Sequence, residues 1–226
     1  TEVVKVVDSV GYLKVNNYIS PAVCNELIEA IDRYLDRSVD IWCDDTGSDQ
    51  RIFYANNKVT ELSKIFDDKF INDAACRFYG VKSVNGFMLA SKVSFVAGNK
   101  GSGGGWHRDS PTTHQFKAMI YLNNVDRRNG PFSYIKFSNN KRQILRSLWL
   151  SCFKPGQYRF TDDEVQSYLK IINNNQSNEI HGGAGDLIFI DTKGIHRGTP
   201  AEIGHRYALT YYLFPGDVPL HMRNLK

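Results

Sequence analysis

The residues best suited to do chemistry are two histidines, an aspartate and an arginine in the C-terminal part of the chain. The first pair is His107 and Asp109, which directly follow a glycine-rich run. In an extended segment, residues i and i+2 point to the same side, so this imidazole and carboxylate can hold one ion from one direction. Such a pair is common in proteins, and taken alone it also fits a turn with a surface carboxylate.

Two later residues extend this pair. His196 lies between a predicted short strand and a turn, and Arg206, ten residues further on, begins another predicted strand. Two imidazoles and one carboxylate on one face of an octahedral ion suit Fe(II) and leave three positions open. The same three side chains could hold Zn²⁺ with a water, as in a zinc hydrolase, but that site would not require Arg206. A guanidinium is instead a planar, permanently charged partner for a carboxylate.

The elements that must position these residues change in type along the chain. Residues 1–85 are predicted to form a mostly helical flank, whereas residues 86–214 contain short strand-like runs separated by Gly, Asn, Asp and Pro clusters. Strands without crossover helices predict a mainly β protein with flanking helices and an antiparallel sandwich or barrel. Residues 138–177 contain a helix that starts with a capping box at Thr161 and Glu164, which predicts an insertion covering one mouth of the barrel.

The order His107, Asp109, His196 and Arg206 resembles that of the Fe(II)- and 2-oxoglutarate-dependent dioxygenases. Within these enzymes, the residues at 106–109, 119–125 and 129–132 are similar to the phytanoyl-CoA dioxygenase-like branch. The resemblance covers about residues 86–214 and implies a double-stranded β-helix, the jelly-roll core also found in cupins. Because ligands from residue 107 to residue 196 must converge, we predict a single dioxygenase domain over residues 1–226.

The resemblance also implies cofactors and roles. Fe(II) would be held by His107, Asp109 and His196, with 2-oxoglutarate filling two of the open positions and dioxygen the third. The far carboxylate of 2-oxoglutarate would pair with Arg206. Strand alternation puts Thr210 on the same face as Arg206, where its hydroxyl could add a hydrogen bond to the cosubstrate.

Two more residues are candidates for the 2-oxoglutarate site. Lys92 and Tyr121 lie on predicted strands of the same barrel, where each could contact the cosubstrate or point to solvent. The implied reaction is hydroxylation of an unactivated C–H bond in a small or carrier-linked molecule, such as a lipid, sugar or amino-acid derivative. The alternative to an oxygenase or a hydrolase is a non-catalytic jelly-roll ligand-binding module, which has no need of the complete His, Asp, His and Arg set.

Composition limits the partners. A net charge of +4 over 226 residues falls short of a nucleic-acid-binding surface. The first residues lack the apolar core of a signal peptide and no apolar run approaches bilayer length, so we expect a cytoplasmic protein without a membrane span. Some of the basic excess lies in loops, where it could be a solvated face or could bind an anionic substrate. These residues are Arg127, Arg128, Lys141, Arg142 and Arg146.

Overall fold

The computed structural model describes residues 2–110, 113–172 and 178–225. Its α-helices are α1 (Glu2–Val10), α2 (Pro21–Arg37), α3 (Ala55–Lys58), α4 (Thr60–Phe66), α5 (Lys69–Tyr79), α6 (Lys141–Trp149) and α7 (Asp162–Ile171), with a 3₁₀ turn at Leu220–Met222. Its strands are β1 (Tyr12–Val15), β2 (Trp42–Cys43), β3 (Asp49–Ile52), β4 (Asn85–Ser94), β5 (Phe116–Tyr121), β6 (Phe132–Tyr134), β7 (Asn178–Ile180), β8 (Leu187–Asp191), β9 (His196–Gly198) and β10 (His205–Phe214).

Two antiparallel sheets form the core. The large sheet has the order β1-β8-β5-β10-β4-β3-β2, and the small sheet has the order β7-β6-β9. The longest pairing joins β10 to β4 over ten residue pairs, which places the two long strands at the centre of the large sheet. The mainly β architecture with flanking helices is therefore confirmed. The N-terminal flank adds strands as well as helices, because β1, β2 and β3 extend the two edges of the large sheet. These strands have only two to four residues, too few to give a period-2 pattern.

Strand alternation divides the large sheet into an outer and an inner face. On β10, Leu209 and Tyr211 belong to the large apolar cluster shared with the N-terminal helices, whereas Ala208 belongs to a cluster that includes small-sheet residues. The helices thus cover the outer face. One of them, α2, begins behind the N-cap Ser20 with a proline in its first turn and buries Leu27 against this face. Side chains on the inner face are left free to form a site between the sheets.

The insertion between β6 and β7 has its own apolar cluster. The predicted capping box is present at the start of α7, where the Thr161 hydroxyl accepts from the Glu164 amide and the Glu164 carboxylate accepts from the Thr161 amide. Phe153, Phe160 and Trp106 are buried together in this cluster. Residues 173–177, at the end of the insertion, lie outside the described residues. Among the helices that are described, none combines the length and apolarity needed to span a bilayer.

Candidate active site

Three side chains that are distant in sequence converge between the sheets. His107 and His196 face each other across a short antiparallel bridge, with amide-to-carbonyl hydrogen bonds of 2.9 and 2.8 Å and ring centroids 4.3 Å apart. Asp109 is fixed beside them because its amide donates to the Thr192 carbonyl at 3.0 Å. One ligand atom from each of the three side chains lies within 4.8 Å of the other two. The cluster therefore has the spacing needed to hold a single metal ion.

Backbone carbonyls orient both imidazole rings. The Nδ1 atom of His107 lies 2.9 Å from the Gly105 carbonyl oxygen, and the Nδ1 atom of His196 lies 2.9 Å from that of Gly194. A ring nitrogen that faces a carbonyl must carry the proton, so Nε2 of each ring keeps its lone pair. Hydrogen bonds of this kind fix the tautomer and the ring orientation of metal-binding histidines.

The electrostatics of the cluster favour the protonation states that a metal requires. Burial lowers the pKa of His196 to about 3, with a further contribution from His107, and burial also lowers the pKa of His107. Burial opposes ionisation of Asp109, but the Lys117 ammonium and the two imidazoles outweigh it and hold the carboxyl pKa below its ordinary value. At neutral pH the set is two neutral imidazoles and one carboxylate. This donor set fits Fe(II) with three positions open.

The same cavity contains a buried guanidinium that fits a carboxylate ligand. Arg206, on the inner face of β10, is 2% exposed, and burial lowers its pKa. One of its terminal nitrogens donates to the Gly130 carbonyl, but its buried Nε has no hydrogen-bond partner. An unpaired buried guanidinium is costly, whereas a bidentate carboxylate would satisfy it. Thr210 also lines this wall, so the residues present fit 2-oxoglutarate as well as iron.

The cavity has a volume of about 240 Å³. Besides the three candidate metal ligands, Arg206 and Thr210, its walls include Arg51, Leu89, Ser91, Ser102, Gly103, Lys117, Met119, Phe132, Arg159, Ile190, Thr192, Gly198 and Tyr212. Both sheets, the glycine-rich run and the insertion contribute to it. The insertion thus borders the cavity through Arg159.

The structure places two of the proposed cosubstrate contacts elsewhere. Lys92 lies on the outer face of β4, with Nζ 2.9 Å from Asp32 Oδ1, because its neighbour Ser91 takes the inner face. Tyr121 does lie on the inner face, but its hydroxyl donates to the Ile180 carbonyl and accepts from the Phe132 amide, both at 2.9 Å. Lys92 therefore forms a surface ion pair, and Tyr121 links the two sheets. Neither lines the cavity, so these contacts give no support to a cosubstrate role for either residue.

Three cationic residues of the cavity were missed from the sequence. Lys117 lies on β5, two residues before Met119, and period 2 alone could have assigned it to the inner face. Arg51 belongs to the N-terminal flank and Arg159 to the insertion, and neither has a local signal that marks it. The five basic residues proposed for an anionic substrate are all exposed, and none of them lines this cavity. Three of them lie on helix α6 and not in a loop as predicted: Lys141, Arg142 and Arg146.

Comparison with known proteins identifies the family. The family model for phytanoyl-CoA dioxygenase (PhyH) matches residues 7–202. The chain belongs to the phytanoyl-CoA dioxygenase family. As a member of this family it is a 2-oxoglutarate-dependent dioxygenase, with iron and 2-oxoglutarate as its cofactors. A search of curated protein sequences finds no significant relative.

Solved structures with the same fold share little sequence. The epimerase SnoN, in complex with Fe³⁺, α-ketoglutarate and nogalamycin RO, has 12% identity and a TM-score of 0.69, over 100% of this chain and 92% of that one. HygX from Streptomyces hygroscopicus, with nickel, 2-oxoglutarate and hygromycin B bound, has 10% identity and a TM-score of 0.66, over 99% and 94%. EctD from S. alaskensis, with 2-oxoglutarate and 5-hydroxyectoine, has 15% identity and a TM-score of 0.66, over 92% and 74%. These matches confirm the predicted jelly-roll fold.

Proposed function

We propose that this phytanoyl-CoA dioxygenase family member hydroxylates an unactivated C–H bond of a small or carrier-linked molecule that bears an acidic group. One oxygen atom of dioxygen would enter the substrate as a hydroxyl, and the other would enter succinate as 2-oxoglutarate loses carbon dioxide. We also propose that residues 1–226 act as one dioxygenase domain, because β1 and β3 pair with strands that border the site.

The observation that carries the oxygenase assignment is that one cavity contains the His, Asp, His cluster and a buried guanidinium for which the described residues supply no carboxylate. In our proposal His107, Asp109 and His196 hold the iron. Arg206 pairs with the far carboxylate of 2-oxoglutarate, and Thr210 adds a hydrogen bond. Iron with bound 2-oxoglutarate supplies the oxidising power for C–H hydroxylation. The protein contributes orientation and a cavity with apolar as well as polar walls.

The acidic group of the substrate is inferred from charge matching. Lys117 Nζ lies 2.6 Å from Asp109 Oδ2, and Arg51 Nη2 lies 2.6 Å from Asp49 Oδ2, so both cations already have a carboxylate partner. Arg206 is assigned to 2-oxoglutarate. Arg159 remains, and among the described residues it forms no ion pair with a carboxylate.

Arg159 is also well placed to meet a substrate. It pairs with His107 in an isolated bridge, and its Nη1 donates to the Gly103 carbonyl at 2.8 Å. It comes from the insertion and is exposed, so it lies at the edge of the cavity where a substrate would enter. A carboxylate, phosphate or sulfate on Arg159 would orient the rest of the substrate toward the iron.

The test uses succinate formation as the readout. The Fe(II)-loaded enzyme, with 2-oxoglutarate and oxygen, is assayed alone and after addition of a small-molecule extract separated on an anion-exchange resin. We expect the retained, anionic fraction to increase succinate formation and to contain a product one oxygen atom heavier. Arg159→Gln should lose most of this increase, while Arg159→Lys should keep part of it. Arg142→Gln, which removes an exposed charge outside the cavity, is the matched control.

Different outcomes separate the two parts of the proposal. If only the unretained, neutral fraction stimulates turnover, or if Arg159→Gln responds like wild type, the acidic-substrate assignment fails and the oxygenase assignment stands. If Fe(II) and 2-oxoglutarate give no succinate under any condition and Arg206→Ala binds 2-oxoglutarate as wild type does, the oxygenase assignment itself fails. A zinc hydrolase or a non-catalytic jelly-roll module would produce that second result.

A further inference from the structure

A second cavity lies behind the metal cluster, inside the insertion. It has a volume of about 210 Å³ and shares no lining residue with the catalytic cavity. Its apolar walls come from Ile144 and Leu148 on α6 and from the buried rings of Phe153 and Phe160. Two charged residues line it: Arg108, which reaches it from the barrel side, and Lys154, which is exposed. It is therefore a separate cavity with apolar walls and two cations, of which Arg108 is the buried one.

Arg108 is buried without an ion-pair partner among the residues that the structure describes. It lies between His107 and Asp109 in sequence, so its side chain points away from the metal cluster and into the insertion. It is 4% exposed, its Cζ lies 5.3 Å from the centre of the Phe160 ring, and its Nε has no hydrogen-bond partner. Among the described residues no carboxylate forms an ion pair with it.

The charge of Arg108 creates a need for an anion in this cavity. Buried guanidinium groups are normally paired or hydrogen-bonded because leaving them unpaired is costly. An anion in the cavity would remove this cost.

We propose that this cavity binds a small carboxylate with an apolar tail, such as a short-chain acyl or aromatic carboxylate. The guanidinium offers a planar, bidentate site for the carboxylate, and the walls formed by Ile144, Leu148 and Phe153 would cover the tail. The volume limits the ligand to a few carbon atoms beyond the carboxylate. This inference does not depend on the identity of the oxidised substrate, because the two cavities are separate.

The test measures binding to the holoenzyme, so that 2-oxoglutarate already occupies Arg206. The protein is loaded with Fe(II) and 2-oxoglutarate without oxygen and titrated in a calorimeter with hexanoate, hexan-1-ol and inorganic phosphate. We expect hexanoate to bind at one site at least tenfold more tightly than either of the other probes. Hexan-1-ol tests the tail without the charge, and phosphate tests the charge without the tail.

Two variants locate the binding site. Arg108→Met removes the charge and keeps an apolar side chain of similar length, and Ile144→Trp keeps Arg108 but fills the cavity. Both variants should weaken hexanoate binding at least tenfold. Arg142 is exposed on helix α6, which also carries Ile144, so Arg142→Met is the control and should leave hexanoate binding unchanged. Because the two variants perturb the site differently, folding failure of one leaves the other as a test. Absence of hexanoate binding, equal binding of hexan-1-ol or phosphate, or unchanged binding in a folded variant would overturn the proposal.

Discussion

Lys117 is expected to set both the stability and the metal affinity of the site. Its ammonium is 2.6 Å from Asp109 Oδ2 and 3.9 Å from the centre of the Tyr212 ring, and the side chains of Lys117 and Asp109 are only 9% and 19% exposed. Lys117→Met would remove this charge and leave the carboxylate of a candidate metal ligand without its nearest cation. The effect should therefore depend on whether a metal is bound.

The size of the effect follows from the geometry. At 2.6 Å and an effective dielectric constant of about 20, the attraction is about 6 kcal/mol, and desolvation offsets part of it. Removing one partner of a buried ion pair lowers the free energy of unfolding by about 3–5 kcal/mol. Because the Asp109 side chain is partly exposed, we expect the lower end of this range, about 3 kcal/mol. In a chain of this length such a loss lowers the Tm of the metal-free protein by about 6–12 °C.

A bound metal should reverse part of this loss. In Lys117→Met the metal ion replaces the missing positive charge beside Asp109. The ion also no longer experiences repulsion from the Lys117 ammonium. In the metal-bound protein we expect the free energy of unfolding of Lys117→Met to be only about 1 kcal/mol below that of wild type. By linkage, the remaining difference of about 2 kcal/mol corresponds to a metal Kd about 30-fold lower in the variant.

Thermal unfolding and calorimetric titration with Ni(II), which substitutes for iron without oxidation, measure both quantities. Lys92→Met is the matched control, because Lys92 forms an ion pair with Asp32 between side chains that are 24% and 37% exposed. That change should cost at most about 1 kcal/mol and leave the metal Kd unaltered. The reasoning is refuted if Lys117→Met is as stable as wild type without metal, or if it binds Ni(II) no more tightly.

Three further changes test other parts of the site. A Cβ at Gly103 would lie 2.5 Å from His107 Cε1, so Gly103→Ala should weaken metal binding about tenfold or more. Gly98 has a similar positive φ, but a Cβ there would have no neighbouring atom within 4 Å, so Gly98→Ala is the control and should leave metal binding unchanged. Arg206→Ala should raise the Kd for 2-oxoglutarate about 10- to 100-fold by calorimetry, with the metal Kd retained. Because the folded pKa of His196 is lowered to about 3, the unfolded chain binds a proton below about pH 6.5 that the folded chain does not. As the pH is lowered from about 6.5 to about 3, the free energy of unfolding of the metal-free protein should therefore decrease. This one group contributes a decrease of up to about 1.4 kcal/mol per pH unit. His196→Asn should flatten the urea-unfolding profile, and an equally steep profile in the variant would contradict this assignment.

The metal cluster could be predicted from sequence because its information is local. His107 and Asp109 are two residues apart, and His196 and Arg206 lie at the edges of recognisable strands. Period 2 states which residues of a strand share a face, but it does not state which face is inner. Lys92 illustrates this ambiguity, since its strand presents Ser91 to the cavity instead.

Other parts of the site depend on contacts that no local pattern encodes. Tyr121 is on the predicted face, but its hydroxyl is used between the sheets at Ile180 and Phe132. Arg51 reaches the cavity because a four-residue strand pairs with the edge of β4, and Arg159 because the insertion folds back on His107. These placements follow from tertiary packing, where short strands and loops have weak sequence signals.

The distribution of charge in the cavity is the basis for proposing that the enzyme binds two anions. Lys117 and Arg51 are neutralised by carboxylates of the protein itself, which leaves Arg206 and Arg159 as the cations of the cavity for which the described residues supply no carboxylate. Arg206 is almost fully buried and Arg159 is exposed, so anions on these two residues would lie at different depths and need not compete. A hydrolase with a metal-bound water has no use for a buried guanidinium of this kind. An oxygenase that binds a dicarboxylate first and an acidic substrate above it uses both, and independent sites require the effects of Arg206→Ala and Arg159→Gln on binding to add.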